Sequence, residues 1–145
     1  LLPGYSLDIY GIEAEADYTK EMKDLSSALK LNDRVLFHGT KPMNELADLY
    51  TTHRLVLNMA SETIDKTMLE AMTCGCYPVT TKGNTQAIGI PAAPEADTPE
   101  AIAAFVQTYA DKAPISADQM FTIVQEKHSL DGLIEKMDSY MREGI

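Results

Sequence analysis

The sequence predicts an α/β domain built on a doubly wound parallel sheet, and three observations carry that expectation. Short apolar runs alternate with segments of helical period along most of the chain. The connections between them are short, as in successive βαβ units. Two of the apolar runs are continuous, Val35-Leu36-Phe37 and Leu55-Val56-Leu57. Continuous runs of that kind are the signature of strands covered on both faces.

Taken in order, strands are expected at residues 5–10, 34–38, 54–59 and 77–81. Between the first two, Ala14, Tyr18, Met22, Leu25 and Leu29 recur at steps of four and three, an amphipathic stripe. A second stripe runs through Met43, Leu46, Ala47 and Tyr50, behind a Pro42 suited to a first helical turn. A third helix is expected to open at Asp65 as its N-cap, to turn Met68, Leu69 and Met72 inward and to stop at Gly75. Ile102, Phe105, Val106 and Tyr109 mark a fourth. Two more follow Pro114, the last carrying Leu130, Leu133, Ile134, Met137 and Met141 and ending near Gly144. In such a sheet ligands bind where strands end and helices begin.

Composition narrows the function. The 145 residues suit one domain spanning 1–145, with 45% hydrophobic and 23% charged residues. No apolar run approaches the roughly 20 residues a membrane-spanning helix needs, and no basic segment precedes an apolar N-terminal stretch. Membrane contact is therefore not indicated. Twelve basic against 22 acidic residues give a net charge of −10, which argues against nucleic acid as a partner. Cys74 and Cys76 flank a single glycine and would close almost no loop, which suits a reducing cytoplasm.

Residues 58–83 concentrate the chemistry. A strand ends near Met59, a loop carries Ser61 and Glu62, and a helix opens around Asp65 and Lys66. A helix N-terminus at that place offers unpaired N–H groups and the positive end of a dipole to phosphate. Glu62 and Glu70 stand eight positions apart, about 12 Å if the whole interval were helical. The paired carboxylates of a retaining glycoside hydrolase need about 5–5.5 Å, so that chemistry is excluded. The spacing suits two separate grips on the hydroxyls of one extended ligand, since a carboxylate accepts such hydrogen bonds strongly. His38, His53 and His128 have no metal-site spacing, and no metal ligand set is expected. Ser61 lacks the strained elbow of a nucleophile, and the methionines fall mostly on helix stripes and read as core.

Glu62–x7–Glu70 with the following LEAMTCGCYPV resembles the signature of family 4 (group 1) glycosyltransferases, whose two-domain architecture is called GT-B. LDIYG (7–11), LNDRVLFHG (31–39), ELADLYTTHRLVLNMASE (45–62) and HSLDGLIEKMDSYM (128–141) resemble further elements of that family in order and spacing. The resemblance implies a Rossmann-like fold, one half of GT-B, and specifically its C-terminal domain, which binds a nucleotide-sugar donor. It implies a retaining transfer of sugar from a nucleotide diphosphate to an acceptor, typically without a metal and with no cofactor beyond the donor itself. Glu70 would hold the ribose hydroxyls, Glu62 would contact the donor sugar, and the amides of Lys66 and Thr67 would face the diphosphate. The loop His38, Gly39, Thr40 and Lys41 would lie near the base.

The chain departs from the family in carrying Thr63-Ile64-Asp65 where small residues such as glycine usually follow the first glutamate. It has Gln86 where a further glutamate often stands. The family's basic pair precedes the matched region, and the first basic residue here is Lys20. The chain is thus expected to be part of a larger two-domain enzyme, lacking the N-terminal acceptor domain and inactive alone. No catalytic residue is assigned. The alternatives are a non-catalytic nucleotide or sugar-phosphate binding module, a GT-B nucleotide-sugar epimerase, or a pure interaction domain.

Overall fold

The computed structural model describes residues 2–13, 15–61 and 63–143. Ala14 of the first stripe and Gly144, the expected helix end, lie outside them. The chain divides into two compact units, Leu1–Leu46 and Ala47–Ile145.

In the first unit β1 (Leu7–Tyr10) runs parallel to β2 (Val35–Gly39), with Leu7 opposite Val35 and Ile9 opposite Phe37. The register then slips, so that Tyr10 opposes Gly39. Helix α1 (Ala16–Ala28) joins the strands and sets Lys23 over the Phe37 ring, 5.5 Å from its centroid. It closes in a Schellman motif, Lys30 N–H on Ser27 O and Leu31 N–H on Ser26 O, with Lys30 at φ 57° where glycine is usual. Arg34 ties the entering segment down by donating to the carbonyls of Tyr5 and Leu2. The expectation that β2 is covered on both faces does not hold. Its residues alternate, with Val35 and Phe37 half-buried but Leu36 and His38 exposed, because Phe37 lies under α1 while Leu36 and His38 point to the opposite face.

Helix α2 (Met43–Thr52) spans the boundary between the units. The second unit holds β3 (Leu55–Leu57) parallel to β4 (Tyr77–Val79), linked by α3 (Lys66–Thr73). Helices α4 (Lys82–Ile88), α5 (Pro99–Tyr109), α6 (Ala117–His128) and α7 (Leu130–Glu143) follow. Here too a strand differs from expectation, since Leu57 of β3 is exposed while all of β4 is buried. The core gathers Met68 and Met72 of α3, Tyr77 and Val79 of β4, Ile88, Ile90, Phe105 of α5 and Met120 of α6. Tyr77 is buried whole and its hydroxyl donates to Ala92 O at 2.7 Å, while burial pushes its pKa up to about 12. Burial, then the Cys74 thiol beside it, likewise pushes Cys76 up to about 12, and both cysteines are free.

Cap residues set the helix ends. Gly75 takes φ 81° just beyond α3, and Ser116 with Gln119 forms a capping box at α6. The strand expected over 77–81 ends at Val79 because Thr81 turns to cap a helix, accepting from Asn84 N–H. That helix, α4, was not expected. Its sequence KGNTQAI has little apolar periodicity, and its readable signals are Thr81 in front and Gly89 at φ 89° behind. Two of the apolar stripes read from the sequence are largely exposed. Leu130, Leu133, Ile134, Met137 and Met141 of α7 are open, as are Tyr18 and Leu25 of α1 and its C-cap Leu29. Amphipathic helices need a partner face, and among the described residues α7 packs on α6 while its stripe stays open. Met43 is exposed as well, so only part of the methionine set is core.

No helix among the described residues is long and apolar enough to cross a membrane. They also contain no cluster of metal-ligating side chains.

Candidate functional site

The strand–loop–helix segment of the second unit is built around one asparagine. Asn58 follows β3 directly, and its N–H extends the ladder by donating to Val79 O at 3.0 Å. Its side chain turns across the loop. Nδ2 donates to Asp65 Oδ2 at 3.0 Å and to Thr67 Oγ1 at 3.2 Å, and Oδ1 accepts from Ala60 N–H at 3.1 Å. The first turn of α3 is thereby fastened at the carboxyl edge of the β3–β4 pair, where a ligand site is expected in such folds.

Asp65 is the N-cap of α3 as the sequence indicates, with extended backbone and Oδ1 accepting from Thr67 N–H at 3.0 Å. That N–H and the Asn58 amide hold its carboxyl below the usual carboxylate range, so it is charged at neutral pH. The Thr67 amide, expected to face a diphosphate, is thus engaged by Asp65. Lys66 and Glu70 meet one turn apart, Nζ to Oε1 at 3.1 Å, with the lysine side chain 74% exposed and the glutamate 31%. Their i,i+4 spacing is the signal that finds this pair. Glu62 lies outside the described residues.

Tyr50 of α2 was missed by sequence reasoning. Its hydroxyl pKa is raised, first by burial and then by the negative charge of Glu70. Its stripe position, Met43–Leu46–Ala47–Tyr50, marked it only as core.

The expected base loop belongs to the first unit. His38 Nε2 lies 2.5 Å from Asp8 Oδ1, and its ring stacks on Tyr10 with centroids 4.7 Å apart. Gly39 has φ 71°, and its carbonyl accepts from Gly11 N–H at 2.9 Å. Lys41 pairs with Glu45 at 3.1 Å. A cavity of about 590 Å³ opens beside this loop, lined by Ile9, Tyr10, Gly11, Met22, Phe37 and Gly39 among others. Lys66, Thr67 and Glu70 therefore share the first turns of one helix in the second unit, whereas His38, Gly39, Thr40 and Lys41 form a strand end and loop in the first.

Parallel strand pairs joined by helices, with a capped helix opening after β3, give a Rossmann-like α/β fold consistent with one half of a GT-B architecture. Residues 1–88 match the family model for glycosyl transferases group 1, and the chain belongs to that family. Anabaena HepE in complex with UDP superposes with a TM-score of 0.80 at 19% identity, covering 97% of this chain and 42% of that one. The same protein in complex with UDP-glucose gives 0.74 at 22% identity, with the same coverage. Sucrose-phosphate synthase from Thermosynechococcus elongatus gives 0.77 at 20% identity, covering 95% of this chain and 38% of that one. These likenesses show the fold, and the chain spans about two fifths of those proteins' length. The chain matches no curated protein in sequence.

Proposed function

We propose that this chain is the C-terminal, donor-binding part of a retaining glycosyltransferase that moves a sugar from a nucleotide diphosphate sugar to an acceptor in the cytoplasm. An N-terminal acceptor domain completes the enzyme, and the chain alone is inactive. The observation that carries the reading is the β3–loop–α3 turn, with Lys66 and Glu70 on its first helical turns, in a member of this family. The neighbours in complex with UDP and UDP-glucose support it. Glu70 grips the ribose hydroxyls, Glu62 meets the donor sugar, and Lys66 and Thr67 face the diphosphate. The loop His38–Lys41 is assigned to the base by the family resemblance. As the sugar leaves, negative charge develops on the diphosphate, and Lys66 with the positive end of α3 stabilises it.

One observation favours a second reading. A charged Asp65 occupies the end of α3 and its Thr67 amide. With that carboxylate in place the domain holds the nucleoside through Glu70 and gains little from phosphate, which describes a non-catalytic nucleotide-binding module. Titrating uridine and UDP into the purified chain separates the two. UDP binding at least about tenfold tighter than uridine supports the transferase, equal affinities support the module, and no binding of either rejects both.

A further inference from the structure

A buried amide is costly unless its donors are satisfied, so the partners of a buried asparagine reveal what it fixes in place. Asn84 of α4 is 2% exposed. Its Nδ2 donates to the carbonyl of Ala60 at 2.5 Å and to Thr80 Oγ1 at 3.0 Å. Its backbone N–H is met separately by Thr81 Oγ1 at 3.3 Å, so the cap of α4 does not depend on the side chain. What the side chain holds is the middle of the loop between β3 and α3. Ala60 has both backbone groups taken by asparagines, its N–H by Asn58 Oδ1 and its carbonyl by Asn84 Nδ2. Asn58 belongs to the loop's own start and passes the constraint on to Asp65 and Thr67. Asn84 comes from the element after β4 and anchors that network to the buried core.

The geometry points to Asn84 as the positioning residue of the candidate site. It fixes the Ala60 peptide, and through Asn58 it fixes the first turn of α3 that carries Lys66, Thr67 and Glu70. The consequence for ligand binding rests on the donor-site reading above, whereas the clamp on the loop does not.

The test uses the 145-residue chain with Asn84→Ala and with Asn84→Leu, which keeps most of the buried volume if the smaller side chain prevents folding. Amide hydrogen exchange is read at Ala60 and Thr67, with Met120 in the core of α6 as reference, and UDP affinity is read by calorimetry. Exchange at Ala60 and Thr67 is expected to rise about tenfold or more with Met120 unchanged, and the Kd for UDP to rise about tenfold. Phe105→Leu, a core change on α5 whose ring packs on Tyr77 and Tyr109, is expected to lower overall stability while leaving the UDP Kd where it was. Unchanged exchange at Ala60 and Thr67 overturns the proposal, as does a rise shared equally by Met120. Released loop amides with unchanged UDP affinity overturn the positioning role. If the unaltered chain fails to bind UDP, the donor-site reading falls and the positioning role with it, and the exchange data still decide whether Asn84 clamps the loop.

Discussion

Replacing Glu70 should leave the fold almost untouched and cost most of the affinity for a nucleotide, and the structure sets both magnitudes. The carboxylate pairs with Lys66 at 3.1 Å, and the lysine side chain is 74% exposed. An exposed i,i+4 pair of this kind contributes about 0.3–0.5 kcal/mol, and alanine's helix propensity offsets part of its loss. Stability should therefore change by less than about 0.5 kcal/mol, below one twentieth of an ordinary domain's upper range. Hydrogen bonds from ribose hydroxyls to a charged acceptor contribute about 1.5–3 kcal/mol, or roughly 10- to 150-fold in affinity. Calorimetric titration of UDP and of its 2′,3′-dideoxy analogue into the unaltered chain, Glu70→Gln and Glu70→Ala completes a double-mutant cycle. The substitutions should weaken UDP by about tenfold or more and the dideoxy analogue by less than about twofold. Equal losses for both ligands, or no loss for either, would refute the assignment of Glu70 to the ribose.

Three further outcomes follow from the packing. Asp65→Ala should cost about 1 kcal/mol as a lost N-cap, read from the urea midpoint. Because the folded pKa of Asp65 lies below its unfolded value near 3.9, its contribution is present above that pH and is lost as pH falls through the folded value. The stability gap between the unaltered chain and Asp65→Asn should thus be flat at neutral pH and shrink in acid. Tyr77→Phe leaves the Ala92 carbonyl and N–H without their buried partner, and should cost about 1–3 kcal/mol in the same assay. Lys30→Gly relieves a left-handed residue at the end of α1 and should stabilise by about 0.5–1 kcal/mol, seen as slower amide exchange at Leu31.

What was legible in the sequence is what local chemistry dictates. Each of the four strands lies within or beside its expected range, because short β-rich runs between turn signals have few other uses. Asp65 was legible as a cap, and Gly75 as a stop, for the same local reasons. Helix α4 was not, because seven residues without an apolar stripe leave only their caps to read. Periodicity shows that a face is apolar and says nothing about what covers it, and the stripes of α1 and α7 are largely open. In the site, the pairing of Lys66 with Glu70 was not read, although its i,i+4 spacing is a local signal that could have shown it. The link from Asn84 to Ala60 crosses 24 positions with no periodic trace, and the Asn58 bridge to Asp65 and Thr67 depends on a loop shape that propensities do not encode.

The uneven distribution of the core has a consequence for how the chain comes to be folded. Every fully buried apolar side chain among the described residues, from Met68 to Met120, belongs to the second unit. The first unit offers exposed Leu7, Leu25 and Leu36 and half-buried Ile9 and Phe37 instead. Synthesis delivers the chain from its N-terminus, a few to some twenty residues each second, and hydrophobic burial is what holds a nascent segment closed. Of these two units the first is synthesised before the second, so the one with less buried apolar surface emerges ahead of the one that holds the core. Between the two units, the order of synthesis runs opposite to the extent of apolar burial that opposes local opening.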